Sequence, residues 1–261
     1  MNPISFMTAN YVARQVGYRM KDWGHGESAV QAYFRPPETY PARLAEILDE
    51  ISGLGFQAID LWLAHLHPDW ATPGQIEQAK ELLAERGLSV SSLAGWFGST
   101  PEAFERCCRL AKAVGTRVLG GMTSLAWENR PALERLLDEY DLLLAIENHP
   151  EKTPAELLEK IGGGGRVGAC VDTGIWATQG YDAVQAIEEL GPHIFHVHLK
   201  DVLHIGVHES CRYGRGIVPL ERCVRLLQKM GYSGGYSVEH EPHDYDPVPD
   251  VAASAEMLRA W

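Results

Sequence analysis

The regular alternation of apolar runs with amphipathic segments constrains the fold of this chain more than any other feature. Glycine or proline marks the joints, as in "ARLAEILDEISGLGFQAIDLWL" from residue 42. Alternating strand and helix units imply a parallel sheet with helices outside it. We predict strands near residues 4–9, 57–63, 88–94, 116–120, 141–147, 166–172, 194–200 and 235–239, and helices near 41–53, 73–86, 101–114, 131–139, 154–161, 182–190, 218–230 and 249–260.

Eight such pairs in 261 residues predict an α/β protein, a closed (β/α)8 TIM barrel that forms a single domain over residues 1–261. The alternative is a doubly wound open sheet, but no G-x-G-x-x-G follows the first strand. The stretch 11–39, between the first strand and the first helix, has weak periodicity. We expect it to cover the site, because strand-to-helix loops form the catalytic face of a barrel.

Composition narrows the classes of partner. The formal net charge of −12 argues against a nucleic-acid partner and gives no reason to expect binding to an anionic membrane. No apolar run is long enough to cross a bilayer. The start, "MNPISFMTANYVARQ", lacks the basic and then apolar pattern of a signal peptide, and the five cysteines show no C-x-x-C spacing. These features predict reduced thiols and a cytoplasmic location, and they leave a homo-oligomer open.

Four consecutive predicted strands end in residues that bind metals. The fifth, "LLLAIENHP", reaches Glu147, the sixth, "VGACVDTG", reaches Asp172, and the eighth, "GGYSVEHEP", reaches Glu239. In the seventh, "IFHVHLKD", His198 lies close to the end, and His196, His198 and Lys200 share one face of the strand. The ends of barrel strands converge on one rim, where three carboxylates would repel one another without a cation. This set predicts one divalent ion, with Mn²⁺ preferred and Mg²⁺ or Co²⁺ as alternatives.

These motifs resemble the sugar isomerase/epimerase family with the xylose-isomerase-like TIM barrel, which includes ketose 3-epimerases, hydroxypyruvate isomerase and inosose dehydratases. The run "YGRGIVPLERCVRLLQKMGYSGGYSVE", residues 213–239, resembles the family's approach to its last strand. The resemblance implies that Glu147, Asp172, His198 and Glu239 bind the metal, and that Glu147 and Glu239 are the catalytic acid/base pair. It also implies a small-molecule sugar or polyol as the substrate.

The chemistry implied by the resemblance is proton abstraction next to the carbonyl of a ketose or keto-polyol. The metal would polarise the carbonyl and stabilise the enediolate, while one Glu removes a proton and the other returns one. Return to the opposite face epimerises the carbon, and return to the neighbouring carbon isomerises the sugar. Two positions depart from the ketose 3-epimerases. Ile175 stands where they usually carry a histidine, and Thr153 stands where they carry a substrate-binding glutamate.

The alternative reaction is β-elimination by a lyase or dehydratase that acts on a keto-inositol, keto-sugar or keto-glycoside with the same metal site. It is motivated by the two departures and by further ionisable residues near the rim, at His149, His240 and Glu241. Two other classes of protein could share this fold. A DNA-repair barrel is disfavoured by Ile175 and by the negative charge. A sugar-binding barrel without catalysis would lack a metal.

Further residues near predicted strand ends are candidates for contact with the substrate. They follow the second and third strands, the metal glutamate of the fifth strand and the metal histidine of the seventh. We predict a substrate-binding set of His65, Trp96, His149, Lys200 and Arg215. Lys200 has an alternative role as the partner of a site carboxylate. Weaker candidates for the wall of the pocket are Trp23, His25, Trp176 and His208.

Overall fold

Eight parallel strands close into a barrel in the computed structural model, which describes residues 2–261. Each barrel strand pairs with the barrel strands before and after it in the chain, and the first strand pairs with the last, which closes the barrel. The predicted (β/α)8 TIM barrel is therefore confirmed. The barrel strands are β1 (Ile4–Met7), β2 (Ala58–Trp62), β3 (Ser89–Trp96), β4 (Val118–Met122), β5 (Leu143–Glu147), β6 (Val167–Asp172), β7 (Ile194–Leu199) and β10 (Tyr236–Val238).

Every predicted helix is present, and its ends differ from the prediction by at most two residues. Their apolar faces pack on the outside of the barrel and form one continuous core with the strands. None of the helices in residues 2–261 combines the length and the apolar character that a bilayer crossing requires. The eight predicted helices are α2 (Tyr40–Gly53), α3 (Pro73–Glu85), α4 (Pro101–Val114), α6 (Arg130–Glu139), α7 (Pro154–Ile161), α9 (Ala183–Leu190), α10 (Leu220–Lys229) and α11 (Val248–Ala260).

Threonine–proline pairs begin three of these helices. The hydroxyls of Thr72, Thr100 and Thr153 each accept a hydrogen bond from the backbone N–H three residues later. Proline follows each threonine at the first helical position, where no intrahelical N–H bond is lost. A capping hydrogen bond and a proline therefore set the first residue of each of these three helices.

Three α-helices and a hairpin of two strands in the structure were not predicted. The segment between β1 and α2 contains α1 (Trp23–Phe34), and two short helices, α5 (Leu125–Glu128) and α8 (Thr173–Thr178), follow barrel strands. An antiparallel hairpin, β8 (Asp201–His204) and β9 (Val207–Cys211), follows β7. In α1, Gly24 and Gly26 weaken the helical signal. Gly26 packs against Val12 and Met20, where any side chain would collide.

Candidate metal centre and cavity

The four predicted metal ligands meet at the carboxyl end of the barrel. Glu147 and Asp172 are the last residues of β5 and β6, and Glu239 directly follows β10. In the registers of the sheet, Asp172 and Ser237 both lie beside His198 of β7. The registers therefore place Asp172 directly beside His198, and all four side chains line a cavity of about 390 Å³.

The donor atoms of these four residues lie close enough to share one ion. One nitrogen or oxygen from each of Glu147, Asp172, His198 and Glu239 can be chosen so that all lie within 4.8 Å of one another. Nδ1 of His198 lies 2.9 Å from Oε1 of Glu147 and 3.2 Å from Oε2 of Glu239. A donor set of three carboxylates and one imidazole suits a hard or borderline divalent cation.

Two of the carboxylate oxygens in this set are buried without a hydrogen bond. Oδ2 of Asp172 and Oε2 of Glu239 have no hydrogen-bond donor. Oδ2 of Asp172 lies 3.1 Å from Nζ of Lys200, which is an ion pair without hydrogen-bond geometry. Buried acceptors are nearly always satisfied in folded proteins, so two carboxylate oxygens without a hydrogen bond at one point indicate a place for a cation. The residues present therefore fit a divalent metal.

Local hydrogen bonds fix Asp172 so that only one oxygen is free. Its Oδ1 accepts from the backbone N–H groups of Gly174 and Ile175, and thereby caps α8. Its own N–H donates to Oδ1 of Asn148, whose Nδ2 donates to the carbonyl of Asp172. Asn148, within "AIENHP", was not predicted to have a role. In that stretch the strand-end pattern identified Glu147 as a ligand and His149 as a substrate contact, but not Asn148.

Lys200 is buried at the edge of the metal-ligand cluster. Its Nζ lies 3.0 Å from Oε1 of Glu239, 3.1 Å from Oδ2 of Asp172 and 2.9 Å from Oε2 of Glu241. Burial alone would lower the pKa of Lys200, but the charges of these carboxylates raise it well above its usual range. Of the two predicted roles for Lys200, the structure shows the pairing with site carboxylates.

The two candidate acid/base glutamates have different electrostatic surroundings. Burial opposes the ionisation of Glu147, but the hydrogen bond and charge of His198 outweigh it and lower its pKa to about 2. Burial raises the pKa of Glu239 well above its usual range, and the charge of Lys200 offsets this only in part. Burial would also lower the pKa of His198, but the neighbouring Cys170 and Glu239 and the bond to Glu147 raise it strongly. One cavity thus holds two carboxyl groups whose pKa values are displaced in opposite directions.

The structure brings some of the predicted substrate contacts to the cavity and leaves others away from it. Trp96, His149 and Lys200 line the cavity, as do Trp23 and His208 from the weaker candidates. His65 and Arg215 do not line it. Three further lining residues, Glu27, Trp62 and Met122, carried no signal in the sequence, because their place depends on α1 and on how β2 and β4 turn at the rim.

His65 and Arg215 lie elsewhere for different physical reasons. His65 ends a short 3-10 turn after β2 and is buried against the rings of Phe34 and Trp62. Burial lowers its pKa to about 3, so it is a neutral packing residue. Arg215 lies in the turn before α10, is exposed, and uses its backbone N–H to bond the carbonyl of Arg212. Neither side chain reaches the cavity.

A second polar cluster lies inside the barrel and was not predicted. Asp60 of β2 accepts hydrogen bonds from the hydroxyls of Ser5, at 3.1 Å, and Ser92, at 3.0 Å. Its Oδ2 also lies 3.2 Å from Nε2 of His196. The centroids of the His196 and His198 rings are 5.2 Å apart. Asp60, His196 and His198 form a second group whose geometry could hold an ion. The available signal was an aspartate inside the apolar run "QAIDLWL".

Comparison with known protein families gives one match that covers most of the chain. The model of the family described as xylose isomerase-like TIM barrel matches residues 48–261. L-ribulose-5-phosphate 3-epimerase UlaE from Escherichia coli is 36% identical over 69 residues, which are 26% of this chain and 24% of that protein. The matched segment thus spans about a quarter of the length of this curated relative.

Solved structures with the same fold cover nearly the whole chain at low identity. The probable 3-DHS dehydratase AsbF from Bacillus anthracis is 15% identical with a TM-score of 0.72, and the match covers 99% of both chains. The 3-keto-D-glucoside 4-epimerase YcjR from E. coli is 17% identical with a TM-score of 0.70 over 100% of both chains. D-psicose 3-epimerase is 15% identical with a TM-score of 0.63, and covers 83% of this chain and 92% of that one. At these identities the likeness shows the fold.

Asp60→Asn should destabilise the protein by about 2–4 kcal/mol, because it removes the charge that His196 and two hydroxyls face inside the barrel. Burial would raise the pKa of Asp60, but His196 lowers it from 3.8 to about 2. A lowered folded-state pKa stabilises the protein above the unfolded value, and this stabilisation is lost as the pH falls toward 2. Urea unfolding should therefore show a difference in unfolding free energy between wild type and variant that is constant near neutral pH. This difference should narrow as the pH falls from 3.8 to about 2, the two pKa values of Asp60.

The matched control is Asp69→Asn. Asp69 also faces a histidine, with Oδ2 3.8 Å from Nδ1 of His67, but its side chain is 57% exposed. We expect a change below about 0.5 kcal/mol there, since surface substitutions rarely have larger effects. Equal losses in the two variants would contradict a special role for the buried cluster.

Proposed function

Because the chain belongs to the xylose isomerase-like TIM-barrel family, we propose that it is a divalent-metal-dependent sugar isomerase or epimerase. The observation that carries the proposal is the convergence of Glu147, Asp172, His198 and Glu239 in one cavity, with unpaired buried carboxylate oxygens among them. Mn²⁺ is the ion we expect, with Mg²⁺ and Co²⁺ as alternatives, because the donor set is rich in carboxylate oxygen. When bound, the ion would polarise the substrate carbonyl and stabilise the negative charge that develops on its oxygen.

The protein's own part in the reaction is to move a proton at the carbon next to that carbonyl. Glu147 and Glu239 come from β5 and from the end of β10, with β6 and β7 between them around the barrel. They therefore reach the cavity from different directions. One glutamate removes the proton and the other supplies one to the opposite face or to the neighbouring carbon. Asp172 and His198 hold the centre, while Lys200 fixes Glu239 through its ion pair at 3.0 Å.

The walls of the cavity divide into an ionic side and an aromatic side. The ligands lie on β5, β6, β7 and β10, whereas Trp62 and Trp96 lie on β2 and β3, which stand across the barrel from β6 and β7. An indole face suits the C–H surface of a sugar, and the carboxylates suit its hydroxyls. This arrangement supports a small sugar or polyol as the substrate.

β-Elimination by a lyase is the second candidate. It is favoured by His149 and His208, which line the cavity and could donate a proton to a departing hydroxyl. The full-length similarity to the probable 3-DHS dehydratase is compatible with it. A product that has lost water and absorbs ultraviolet light as an enone would favour elimination. A product of unchanged mass would favour isomerisation or epimerisation.

Mn²⁺ should stabilise the metal-stripped protein in a thermal melt, because an ion that binds only the folded state adds about 2.7 kcal/mol at roughly 100 times its Kd. Asp172→Asn should remove most of this gain, since it neutralises a ligand. The matched control, Glu209→Gln, changes an exposed carboxylate on β9 and should keep the full gain. An unaltered gain in Asp172→Asn would contradict the assigned centre, and no gain in wild type would favour a binding protein without a metal.

Wild-type protein with Mn²⁺ should exchange the proton next to the carbonyl of its sugar substrate for deuterium in D₂O. Glu147→Gln and Glu239→Gln should each slow this exchange by roughly 10²- to 10⁴-fold, the usual contribution of one acid or base. Mass spectrometry of the sugar measures the exchange, and metal analysis of each variant separates lost chemistry from lost ion. Glu209→Gln should exchange like wild type. Exchange that survives in both metal-loaded variants would refute the acid/base assignment.

A further inference from the structure

We propose that the cavity selects electrically neutral sugars and rejects phosphorylated sugars and sugar acids. The inference rests on the proposed function and adds the charge class of the substrate. It differs from what the name of the E. coli relative says of that protein, whose substrate is phosphorylated. Three features of the described residues carry it: the charges that line the cavity, the occupied amide groups around its rim, and the tryptophans of its wall.

Carboxylates dominate the charge of the cavity. Among the described lining residues there is one lysine, Lys200, and no arginine, and the lysine is already held by three carboxylates within 3.1 Å. Even with a divalent ion at the centre and Lys200 charged, the carboxylates leave a net negative charge. The five carboxylates of the lining are Glu27, Glu147, Asp172, Glu239 and Glu241.

Backbone N–H groups could bind a phosphate without any charged side chain, but those beside the metal ligands are occupied. The N–H groups of Gly174 and Ile175, at the start of α8, donate to Oδ1 of Asp172 at 2.7 and 3.0 Å. A helix start offers an anion site only while its N–H groups are free. Asp172 thus removes this site as it positions its other oxygen.

The loops after the seventh barrel strand are the other common place for a phosphate in a TIM barrel. Here the backbone N–H groups of that loop bind the buried carboxylate of Asp201 in place of an external phosphate. It accepts hydrogen bonds from the backbone N–H groups of Val202, Gly214, Gly216 and Val218, each at 3.0 Å. Any side chain at Gly216 would collide with this carboxylate. The amide groups of the loop therefore bind an anion that belongs to the chain.

The aromatic wall supplies what a neutral sugar needs. Trp23 of α1 and Trp96 of β3 are 37% and 47% exposed at the cavity, and the Trp23 and Trp62 rings lie 5.4 Å apart. Large exposed aromatic surface at a pocket is available for a ligand with an apolar face. A sugar ring has such a face, whereas a phosphate or carboxylate group has none. The substrate class that fits is a neutral keto-sugar or keto-glycoside.

Matched pairs of sugars test the inference directly. L-Ribulose and L-ribulose 5-phosphate, and D-fructose and D-fructose 6-phosphate, are each titrated into Mn²⁺-loaded wild type, with tryptophan fluorescence as the binding signal. Deuterium exchange is followed on the same samples. We expect the neutral member of a pair to bind at least about 100-fold more tightly, because placing like charges together costs several kcal/mol.

Glu27 allows a gain-of-function test, because it lines the cavity from α1 and is not a metal ligand. Glu27→Arg should narrow the preference for the neutral sugar by about 10-fold, since it replaces a repulsive charge by an attractive one. Glu38→Arg makes the same change of charge at an exposed position before α2 and should leave the preference unchanged. Trp96→Ala should weaken binding of the neutral sugar, whereas Trp127→Ala, at an exposed tryptophan outside the cavity, should not.

The outcomes separate this inference from the proposed function. Tighter binding or faster exchange of a phosphorylated sugar overturns the charge preference and leaves the metal-dependent chemistry standing. If neutral sugars bind more tightly in the fluorescence titration but exchange no deuterium, the charge preference is supported and the proposed chemistry is refuted. An unchanged preference in Glu27→Arg overturns the electrostatic explanation. A panel in which no sugar binds overturns both.

Discussion

The mutual repulsion of buried carboxylates is the interaction on which the rest of this structure depends. Glu147, Asp172 and Glu239 enter one cavity, and burial strengthens the repulsion between Asp172 and Glu239 because the dielectric constant there is lower than in water. Lys200 neutralises part of this charge. The unpaired oxygens that remain on Asp172 and Glu239 indicate that a further cation completes the balance. We infer that metal binding and the stability of the barrel rim both depend on this arrangement.

The same side chains that build the rim also define what it accepts. Asp172 caps α8 with one oxygen and faces the centre with the other, and Asp201 gathers the amide groups of the loop after β7. Both aspartates therefore occupy donors that could otherwise bind an external anion. With Trp23 and Trp96 on the opposite wall, the cavity combines a site for a metal-chelating polar edge with a site for an apolar face. Structure and selectivity arise from the same hydrogen bonds.

The positions of the strands, of the helices and of the four candidate ligands at the rim could be predicted because their signals are local. Threonine–proline pairs mark helix starts, and a strand end places Glu147 or Asp172 at the rim wherever the strand lies in the barrel. Asn148 and Asp60 act through partners distant in sequence, so nothing near them in the chain indicates their bonds. His65 follows a strand like a rim residue, but a short turn directs it into the core. Helix α1 could not be predicted, because tertiary packing outweighs the low helix propensity of its two glycines.

An anomalous difference map from a crystal soaked in Mn²⁺ would test the central claim most directly. The account predicts one strong peak in contact with Glu147, Asp172, His198 and Glu239. The deeper cluster of Asp60, His196 and His198 offers a built-in alternative within the same barrel, and it should stay free of the ion because Asp60 already bonds Ser5 and Ser92. A peak at the deeper cluster, or no peak at either cluster, would contradict the account.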